Sequence, residues 1–257
     1  DTGEPTTSTA AEVLATIDHP FIEILQQYRA LNKTLGTFFK GIQEKVHDGV
    51  IHAQFKLHGT KTGRASASEP NLQQLTSRTS IKDERVSEMI LRTKKFFIAP
   101  AGRKVLQADF SQLELRLIAL FSQDPNMLQA YKEGKDLHSL TASQINNMTY
   151  EDFMATEESD PKWYKRQRAC GKGANFSLSY GCSADTYRIY LKTTYGTVIT
   201  KKEAELHHKN YFKQFPSMVE WHEEYKNKGR EYGHVRTYFG RTRLLQDILS
   251  SIPKFRA

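Results

Sequence analysis

Hydrophobic positions recur with a helical period near the start of the chain and again over most of its second half. Over residues 20–46, apolar side chains return every three or four positions, which predicts a long amphipathic helix after a shorter one at 9–17. Further helices are predicted at 111–122, 125–133, 137–146, 149–155, 161–180, 183–191, 200–214 and 216–230. The chain is therefore expected to be mostly helical from residue 111 to about residue 231.

Strand patterns are confined to short stretches. Residues 50–58 alternate between apolar and polar, and residues 95–100 and 104–110 form apolar runs around a turn at Pro100–Gly102. A short strand or hairpin is predicted at 234–239. The segment 59–80 is rich in Gly, Ser, Thr and Pro and is predicted to be a loop.

The net charge of the chain indicates what kind of ligand it could bind. The 257 residues carry 37 Lys and Arg against 29 Asp and Glu, a net charge of +8 that is compatible with a polyanionic ligand. The acidic segment 151–160 is followed by the basic segment 162–172, which suggests a solvated acidic linker before a basic surface. The two cysteines form no metal-ligand cluster and favour a reduced, intracellular protein.

The hydropathy and the first residues of the chain bear on membrane insertion, on secretion and on whether the chain is a piece of a longer protein. No apolar run approaches the ~18 residues of a membrane span, so no membrane partner is expected. The first residues lack the pattern of a secretory signal. The chain does not begin with Met, so it is expected to be a piece of a longer protein.

Two carboxylates, Asp109 and Glu114, are candidates for a chemical role. Asp109 stands at the end of a predicted strand and directly before a predicted helix, where a rigid backbone suits a Mg²⁺ ligand. Glu114 follows one turn later in that helix. The alternative is structural, because Asp109 or Ser111 could simply cap the helix and Glu114 could pair with Arg116 on the surface.

A second pattern lies in the predicted helix 161–180. Arg168, Lys172, Phe176 and Tyr180 fall at steps of four, so they would line one helix face over roughly 18 Å. Cations at one end and aromatic rings at the other match the phosphates and the base of a nucleoside triphosphate. Two glycines in this helix indicate close approach of a ligand or of another helix. An amphipathic helix with a chance basic edge would have the same spacing.

Together these segments resemble the family A, bacterial polymerase I-like, DNA polymerases. DFSQLELR at 109–116 resembles the motif called A, and RQRACGKGANFSLSYG at 166–181 resembles motif B. The stretches TGRASASEPNLQQL at 62–75, EGKDLHSLTA at 133–142 and YFGRTR at 238–243 also resemble segments of this family. The order of the five motifs is the order that the family has.

The resemblance implies a fold and a domain plan. The fold class would be α+β, with a palm of antiparallel strands and helices and largely helical fingers. Residues 1–58 would be the base of the thumb and the entry to the palm, and 59–123 the palm. Residues 124–233 would be the fingers, and 234–257 the start of the return to the palm.

The resemblance also implies roles for single residues. Asp109 and the backbone carbonyl of Phe110 would hold Mg²⁺ ions, with Asp109 and Lys172 catalytic. The residues that would bind the dNTP are Gln112, Glu114, His138, Arg168, Lys172, Phe176 and Tyr180, with Glu114 excluding a 2′-OH. The residues that would contact primer–template DNA are Arg64, Asn71, Gln73, Gln74, Arg78, Arg241 and Arg243.

One expected feature is not found. The family has a second catalytic acid in motif C, usually His-Asp-Glu, and VHDGV at 46–50 lies upstream of motif A with Gly49 in place of the Glu. The chain is therefore expected to need motif C, the remaining Mg²⁺ ligands and most of the thumb from another segment or polypeptide. The alternatives are a non-catalytic DNA-binding remnant and a single-subunit RNA polymerase, against which Glu114 and Phe176 argue. The expected location is the cytoplasm of a bacterial or phage-infected cell, or an organelle.

Overall fold

The structure of the chain is a computed structural model that describes residues 9–14, 17, 19–75, 81, 83–245 and 247–248. It divides into two compact units, Asp1–Ala108 and Asp109–Ala257. In the first unit the helices are α1 (Ala11–Leu14), α2 (Pro20–Lys33), α3 (Gly41–Gln43) and α4 (Glu84–Arg92). A π-helix joins α2 to α3 at Thr34–Lys40, and 3₁₀ turns lie at Leu72–Gln74 and Thr93–Phe96.

The first unit also holds two small antiparallel sheets. Strand β1 (Val46–His47) pairs with β2 (Val50–Ile51), and β3 (Gln54–Lys56) pairs with β4 (Ser66–Ser68). Asp48 and Gly49 form the turn between β1 and β2, with φ angles of 50° and 75°. Two successive residues with positive φ form the turn that suits a two-residue hairpin, and Asp-Gly is a preferred sequence for it.

This hairpin and its neighbour correct three predictions in the first unit. The predicted helix 20–46 ends at residue 43, and the predicted strand 50–58 is broken into β2 and β3. The predicted loop 59–80 contains β4, whose Ala67 is buried and lies opposite Phe55 of β3. Small residues such as Ser and Ala carry little strand propensity, so only the pairing with β3 makes 66–68 a strand.

The two strands predicted before Asp109 are wrong. Residues 93–96 form a 3₁₀ turn, and 97–112 have no regular structure. Within the described part of the chain no strand pairs with 97–110, and Leu106 is 91% exposed. The predicted turn is confirmed, because the Arg103 N–H donates to the Pro100 carbonyl at 3.0 Å and Gly102 has a φ of 76°.

The second unit is the helical part of the chain. Its helices are α5 (Leu113–Ser122), α6 (Pro125–Lys132), α7 (Leu137–Ile145), α8 (Tyr150–Ser159), α9 (Pro161–Ser177), α10 (Ala184–Tyr195), α11 (Lys201–Gln214) and α12 (Ser217–Tyr232). A 3₁₀ turn at Leu178–Tyr180 follows α9, and a hairpin of β5 (His234–Arg236) and β6 (Thr242–Leu244) follows α12. The hairpin and the helices predicted after residue 110 are confirmed, except for the last turn of the helix predicted at 161–180. Helices beside small antiparallel sheets also confirm the α+β class.

The core of the second unit is formed by the buried apolar faces of its helices. Leu115 and Ile118 of α5 pack with apolar residues of α6, α7, α9, α10, α11 and α12 into one buried cluster. The acidic segment 151–160 is not a linker, because most of it forms α8, which Thr149 caps and which buries Phe153 against Tyr164. Among the described residues, no helix is long and apolar enough to cross a membrane.

Candidate functional site

Helix α9 carries three of the seven residues that are predicted to bind the dNTP. Asp160 caps its first turn and Pro161 occupies the first helical position, as helix-start chemistry favours. Arg168, Lys172 and Phe176 lie on this helix, and the Lys172 ammonium is 5.9 Å from the centre of the Phe176 ring. Tyr180 lies beyond the helix, in the 3₁₀ turn that ends at Gly181 with a φ of 76°. The predicted continuous helix to residue 180 is therefore wrong in its last turn.

Close packing of α7 and α10 against α9 accounts for the two glycines of α9. A Cβ atom on Gly171 would lie 2.3 Å from the His138 carbonyl oxygen and 2.8 Å from the Ala142 nitrogen. A Cβ atom on Gly173 would lie 2.3 Å from a methyl group of Leu191 in α10. At both glycines the added Cβ atom would be closer than atomic contact allows. Neighbouring helices, rather than a ligand, therefore explain these glycines.

His138 is held inside the site by α9. Its ring is tilted against Phe176 at a centroid distance of 5.6 Å, and its Nδ1 lies 3.2 Å from the Asn175 side-chain nitrogen. Asn175 is itself buried and also binds the Leu137 carbonyl and the Thr141 hydroxyl. Burial, aided by the charges of Arg168 and Lys172, lowers the pKa of His138 to about 4. The imidazole is thus neutral at pH 7.

The Asp136 carboxylate connects the start of α5 to α9. One of its oxygens accepts a hydrogen bond from the Gln112 side chain at 2.9 Å, and the other accepts from the Arg168 Nε at 2.9 Å. Ser139 donates to the same second oxygen through its hydroxyl and its backbone N–H. Burial alone would raise the pKa of Asp136, but Ser139 and Arg168 outweigh it and the pKa is lowered. The carboxylate is therefore ionised and faces Arg168 at neutral pH.

Glu114 and Tyr180 meet across the site. The Tyr180 hydroxyl donates to Glu114 Oε2 at 3.1 Å, although the two residues are 66 positions apart. Arg116 makes other contacts, since its guanidinium lies 4.5 Å from the centre of the Tyr131 ring and its Nε donates to the Ser111 carbonyl. The structure thus pairs Glu114 with the last aromatic residue of the predicted stripe.

Asp109 and Phe110 stand on exposed, irregular backbone at the beginning of the second unit. Neither Asp109 nor Ser111 caps α5, because the cap position belongs to Gln112, with φ 53° and ψ 35° and no capping side-chain bond. A carboxylate and a backbone carbonyl are the hard oxygen donors that Mg²⁺ prefers, so the chemistry of these two residues fits the ion. Within the described ranges, no group of three or more His, Cys, Asp or Glu could hold a metal.

The predicted DNA-binding residues of the first unit lie around β4. The Arg64 carbonyl accepts from the Thr60 hydroxyl at 2.7 Å, and the Asn71 side chain caps the 3₁₀ turn by accepting from the Gln73 N–H. The Gln73 side chain donates to the Ala65 carbonyl at 3.3 Å, and Gln74 is exposed beside it in the same turn. Arg78 lies outside the described residues.

The remaining predicted DNA-binding residues belong to the β5–β6 hairpin of the second unit. Arg243 lies opposite Val235 in the ladder. The Arg241 carbonyl accepts from the Thr237 N–H, and the Arg241 N–H donates to the Thr237 hydroxyl. Both arginines are exposed at the edge of this hairpin.

Three residues at this site were not singled out from the sequence. Asp136 accepts a hydrogen bond from Arg168, and Asn175 is hydrogen-bonded to His138. Tyr131 donates to the Gln112 side-chain oxygen at 3.1 Å. Asp136 had a local signal, since it directly precedes the predicted helix 137–146 and Asp is a preferred N-cap residue. Asn175 and Tyr131 had none, because only the packing of α6, α7 and α9 gives them these partners.

Comparison with known proteins agrees with this fold. The model of the family "DNA polymerase family A" matches residues 1–257. The thermostable DNA polymerase I of Thermus filiformis is 35% identical over 257 residues, 99% of this chain and 28% of that protein. DNA polymerase I of Pseudomonas aeruginosa is 33% identical over 97% of this chain and 25% of that protein. The chain thus spans about a quarter of the length of these relatives.

A solved structure is also similar to this chain in its fold. The POL domain of Pol1 from M. smegmatis, in complex with DNA primer-template and dNTP, matches with a TM-score of 0.74. It is 28% identical, and the match covers 97% of this chain and 41% of that one. The α+β fold and the family model together show that this chain belongs to DNA polymerase family A.

Proposed function

We propose that this chain is part of a DNA-templated DNA polymerase that transfers a nucleotide from a dNTP to a primer 3′-OH. The observation that carries this proposal is the face of α9, where Arg168, Lys172 and Phe176 follow one another and neutral His138 packs on Phe176. Cations and an aromatic ring in this order match the order of phosphates, sugar and base in a dNTP. Every residue of this cluster lies within the second unit.

Each side chain of the α9 face has a role that its chemistry supports. Arg168 and Lys172 bind the triphosphate, and Lys172 offsets the negative charge that builds on the leaving pyrophosphate. A neutral His138 adds a hydrogen-bond donor without repelling these two cations. Phe176 supports the sugar and base by packing, and Tyr180 stacks near the insertion site. Gln112, held between Asp136 and Tyr131, completes the residues proposed to bind the dNTP.

Glu114 is proposed to select deoxynucleotides. Its carboxylate is held by the Tyr180 hydroxyl, which limits the positions that it can take. A fixed carboxylate under the sugar would leave no space for a 2′-OH. This role distinguishes a DNA polymerase from an RNA polymerase at the same site.

Asp109 and the carbonyl oxygen of Phe110 are proposed to hold Mg²⁺. When bound, the metal would help to activate the primer 3′-OH and to neutralise charge on the phosphates. Two ions require at least one further carboxylate beside Asp109. We propose that motif C supplies it, from another segment or a second polypeptide.

Primer–template DNA is the proposed macromolecular partner. Arg64, Asn71, Gln73 and Gln74 present donors around β4, and donors in the minor groove sense pair shape without reading sequence. Arg241 and Arg243 would contact phosphates. Arg78, three residues after the motif at 62–75, is proposed from the family resemblance alone.

The domain plan and the location remain part of this proposal. Residues 1–58 would lead from the thumb into the palm at 59–123, the fingers would be 124–233, and 234–257 would return to the palm. The bacterial relatives support a place in the cytoplasm of a bacterial or phage-infected cell.

Nucleotide binding tests this proposal without requiring turnover. We expect the chain, bound to a primer–template with a dideoxy 3′ end, to bind the matched dNTP in a calorimetric titration with Mg²⁺. Lys172→Ala should weaken this binding roughly tenfold or more, because a charged contact to phosphate is lost. Lys165→Ala is the matched control, since Lys165 is an exposed lysine of the same helix. Absence of dNTP binding, or equal losses in both variants, would contradict the proposal.

A single-nucleotide extension assay then tests catalysis. Extension should require Asp109 together with a polypeptide that supplies motif C. DNA and dNTP binding without extension, even after motif C is supplied, would favour a non-catalytic DNA-binding protein.

A further inference from the structure

Asp136 is placed to control two of the proposed dNTP contacts at once. Its first oxygen accepts from the Gln112 side chain and its second from Arg168 Nε, both at 2.9 Å. These partners belong to separate elements, since Gln112 precedes α5 directly and Arg168 lies in the middle of α9. Asp136 itself is the N-cap of α7 and accepts from the Ser139 N–H. One side chain therefore connects three helices of the second unit.

The contact with Arg168 orients the guanidinium group for phosphate. A guanidinium that is held through Nε has a fixed plane, and the edge formed by its two terminal nitrogens then remains able to pair bidentately with a phosphate. The side chains of Arg168 and Asp136 are 36% and 25% exposed, so solvent still reaches the pair. The pair is therefore expected to orient Arg168 more than to stabilise the fold.

The contact with Gln112 orients the backbone that follows Asp109. Gln112 adopts the left-handed region, with a φ of 53°, which is unfavourable for a residue with a Cβ atom. Its side chain is held at both ends, by Asp136 at the nitrogen and by Tyr131 at the oxygen. These two bonds favour the left-handed conformation from which α5 starts, only three residues after Asp109.

We infer that Asp136 is a positioning residue, which holds Arg168 and Gln112 in the arrangement that receives the dNTP triphosphate. This inference rests on the proposed function of the second unit. It adds a residue that contacts neither the nucleotide nor the metal and acts through Arg168 and Gln112.

The substitution Asp136→Asn separates this role from helix capping. Asn is as good an N-cap as Asp and keeps an oxygen for the Ser139 N–H, but it has no charge for Arg168. Its amide nitrogen, a donor, would also stand in place of the oxygen that accepts from the Gln112 side chain. We expect the dissociation constant of the matched dNTP to rise roughly threefold to tenfold, since a charge-assisted hydrogen bond of a partly exposed pair is lost. The affinity for primer–template DNA should be unchanged.

The matched control is Asp160→Asn. Asp160 caps α9 itself by accepting from the Trp163 N–H, so the same change is made at another N-cap of the same unit. This variant should bind the dNTP as the unsubstituted protein does. Thermal unfolding of both variants should stay within a few degrees of the unsubstituted protein.

A double-mutant cycle tests whether Asp136 acts through Arg168. In a protein that already carries Arg168→Ala, Asp136→Asn should change the dNTP dissociation constant by less than about twofold, because only the Gln112 hydrogen bond and the charge near His138 are then left to lose. If Asp136→Asn does not fold, Asp136→Glu keeps the charge and displaces it by one methylene, and its loss of dNTP affinity should likewise shrink in the Arg168→Ala protein.

The outcomes separate this inference from the proposed function. If the unsubstituted protein binds no dNTP, both are overturned. If it binds the dNTP and Asp136→Asn binds equally well or more tightly, only the positioning role is overturned. The same holds if the loss caused by Asp136→Asn is as large in the Arg168→Ala protein as in the unsubstituted one.

Discussion

Asp109 is the residue at which binding and catalysis should separate. Its carboxylate is exposed on irregular backbone and is the proposed oxygen ligand for Mg²⁺. We expect Asp109→Ala to abolish primer extension when motif C is supplied and to leave the affinity for primer–template DNA nearly intact. Extension by the polymerase and DNA binding by gel shift measure the two effects. Residual extension above a few per cent would contradict a metal-binding role.

Glu114 and Tyr180 form a pair whose two functions can be tested separately. Glu114→Ala should increase rNTP incorporation relative to dNTP, because the carboxylate no longer fills the space of a 2′-OH. Tyr180→Phe removes only the hydroxyl that donates to Glu114, so it should relax sugar selection less. Single-nucleotide extension with matched dNTP and rNTP gives both ratios. An unchanged ratio in Glu114→Ala would rule out the steric role.

His138 should make the stability of the protein sensitive to acid. Burial lowers its pKa from 6.5 to about 4, so between these pH values the unfolded chain binds a proton that the folded chain does not. The free energy of unfolding therefore falls as the pH falls through this window, by up to about 1.4 kcal/mol per pH unit for this proton. His138→Gln should reduce that slope, as measured by urea unfolding between pH 4 and 6.5.

His207 provides the control for His138. Burial also lowers its pKa to about 4, and it contacts Tyr187 rather than Phe176. His207→Gln should reduce the same pH slope but leave dNTP affinity unchanged. A full slope in His138→Gln would mean that His138 is not the group that titrates.

At the scale of elements, the contact between α7 and α9 is set by a glycine. Gly171→Ala would place a methyl group against the backbone of α7, and backbone cannot move aside as a flexible side chain can. We expect a loss of about 1–3 kcal/mol in the free energy of unfolding, after a smaller gain from helix propensity. Binding of dNTP should weaken as well, since α7 carries His138 and α9 carries Lys172.

Two further glycines calibrate this experiment. Gly173→Ala meets side chains, those of Leu191 and Tyr187, rather than backbone, so it should cost less than Gly171→Ala. Gly36→Ala meets nothing within 4 Å and should be neutral or slightly stabilising. Equal effects at Gly171 and Gly36 in urea unfolding would refute the close-packing explanation.

The sequence predicts the helices of this protein better than its strands. The helices after residue 110 were predicted with ends that differ by a few residues, because the apolar stripe that each buries is written in its own sequence. The apolar runs 95–100 and 104–110 were not strands, because a strand also needs a partner, and partners are set by tertiary contacts. The converse case is β4, which only its pairing with β3 reveals.

At the scale of the whole molecule, the net charge of +8 should govern DNA affinity. Binding to phosphates releases counterions, so we expect the affinity for primer–template DNA to fall steeply between about 50 and 200 mM salt. Replacing Arg241 and Arg243 with Ala should lower the slope of log affinity against log salt by up to about 2, since each lost phosphate contact removes about 0.9. Fluorescence anisotropy at several salt concentrations measures this slope, and a salt-independent affinity would refute a phosphate-binding surface.

The sequence by itself determined the family, the helical second unit and the spacing of Arg168, Lys172 and Phe176 on one helix face. These features are local or ordered along the chain, so periodicity and motif order are sufficient to predict them. Only the tertiary structure decided that Glu114 bonds to Tyr180, that His138 is buried and neutral, and that Asp136 connects Gln112 with Arg168. Such contacts join residues 24 to 66 positions apart, and their partners are chosen by how helices pack rather than by any local pattern.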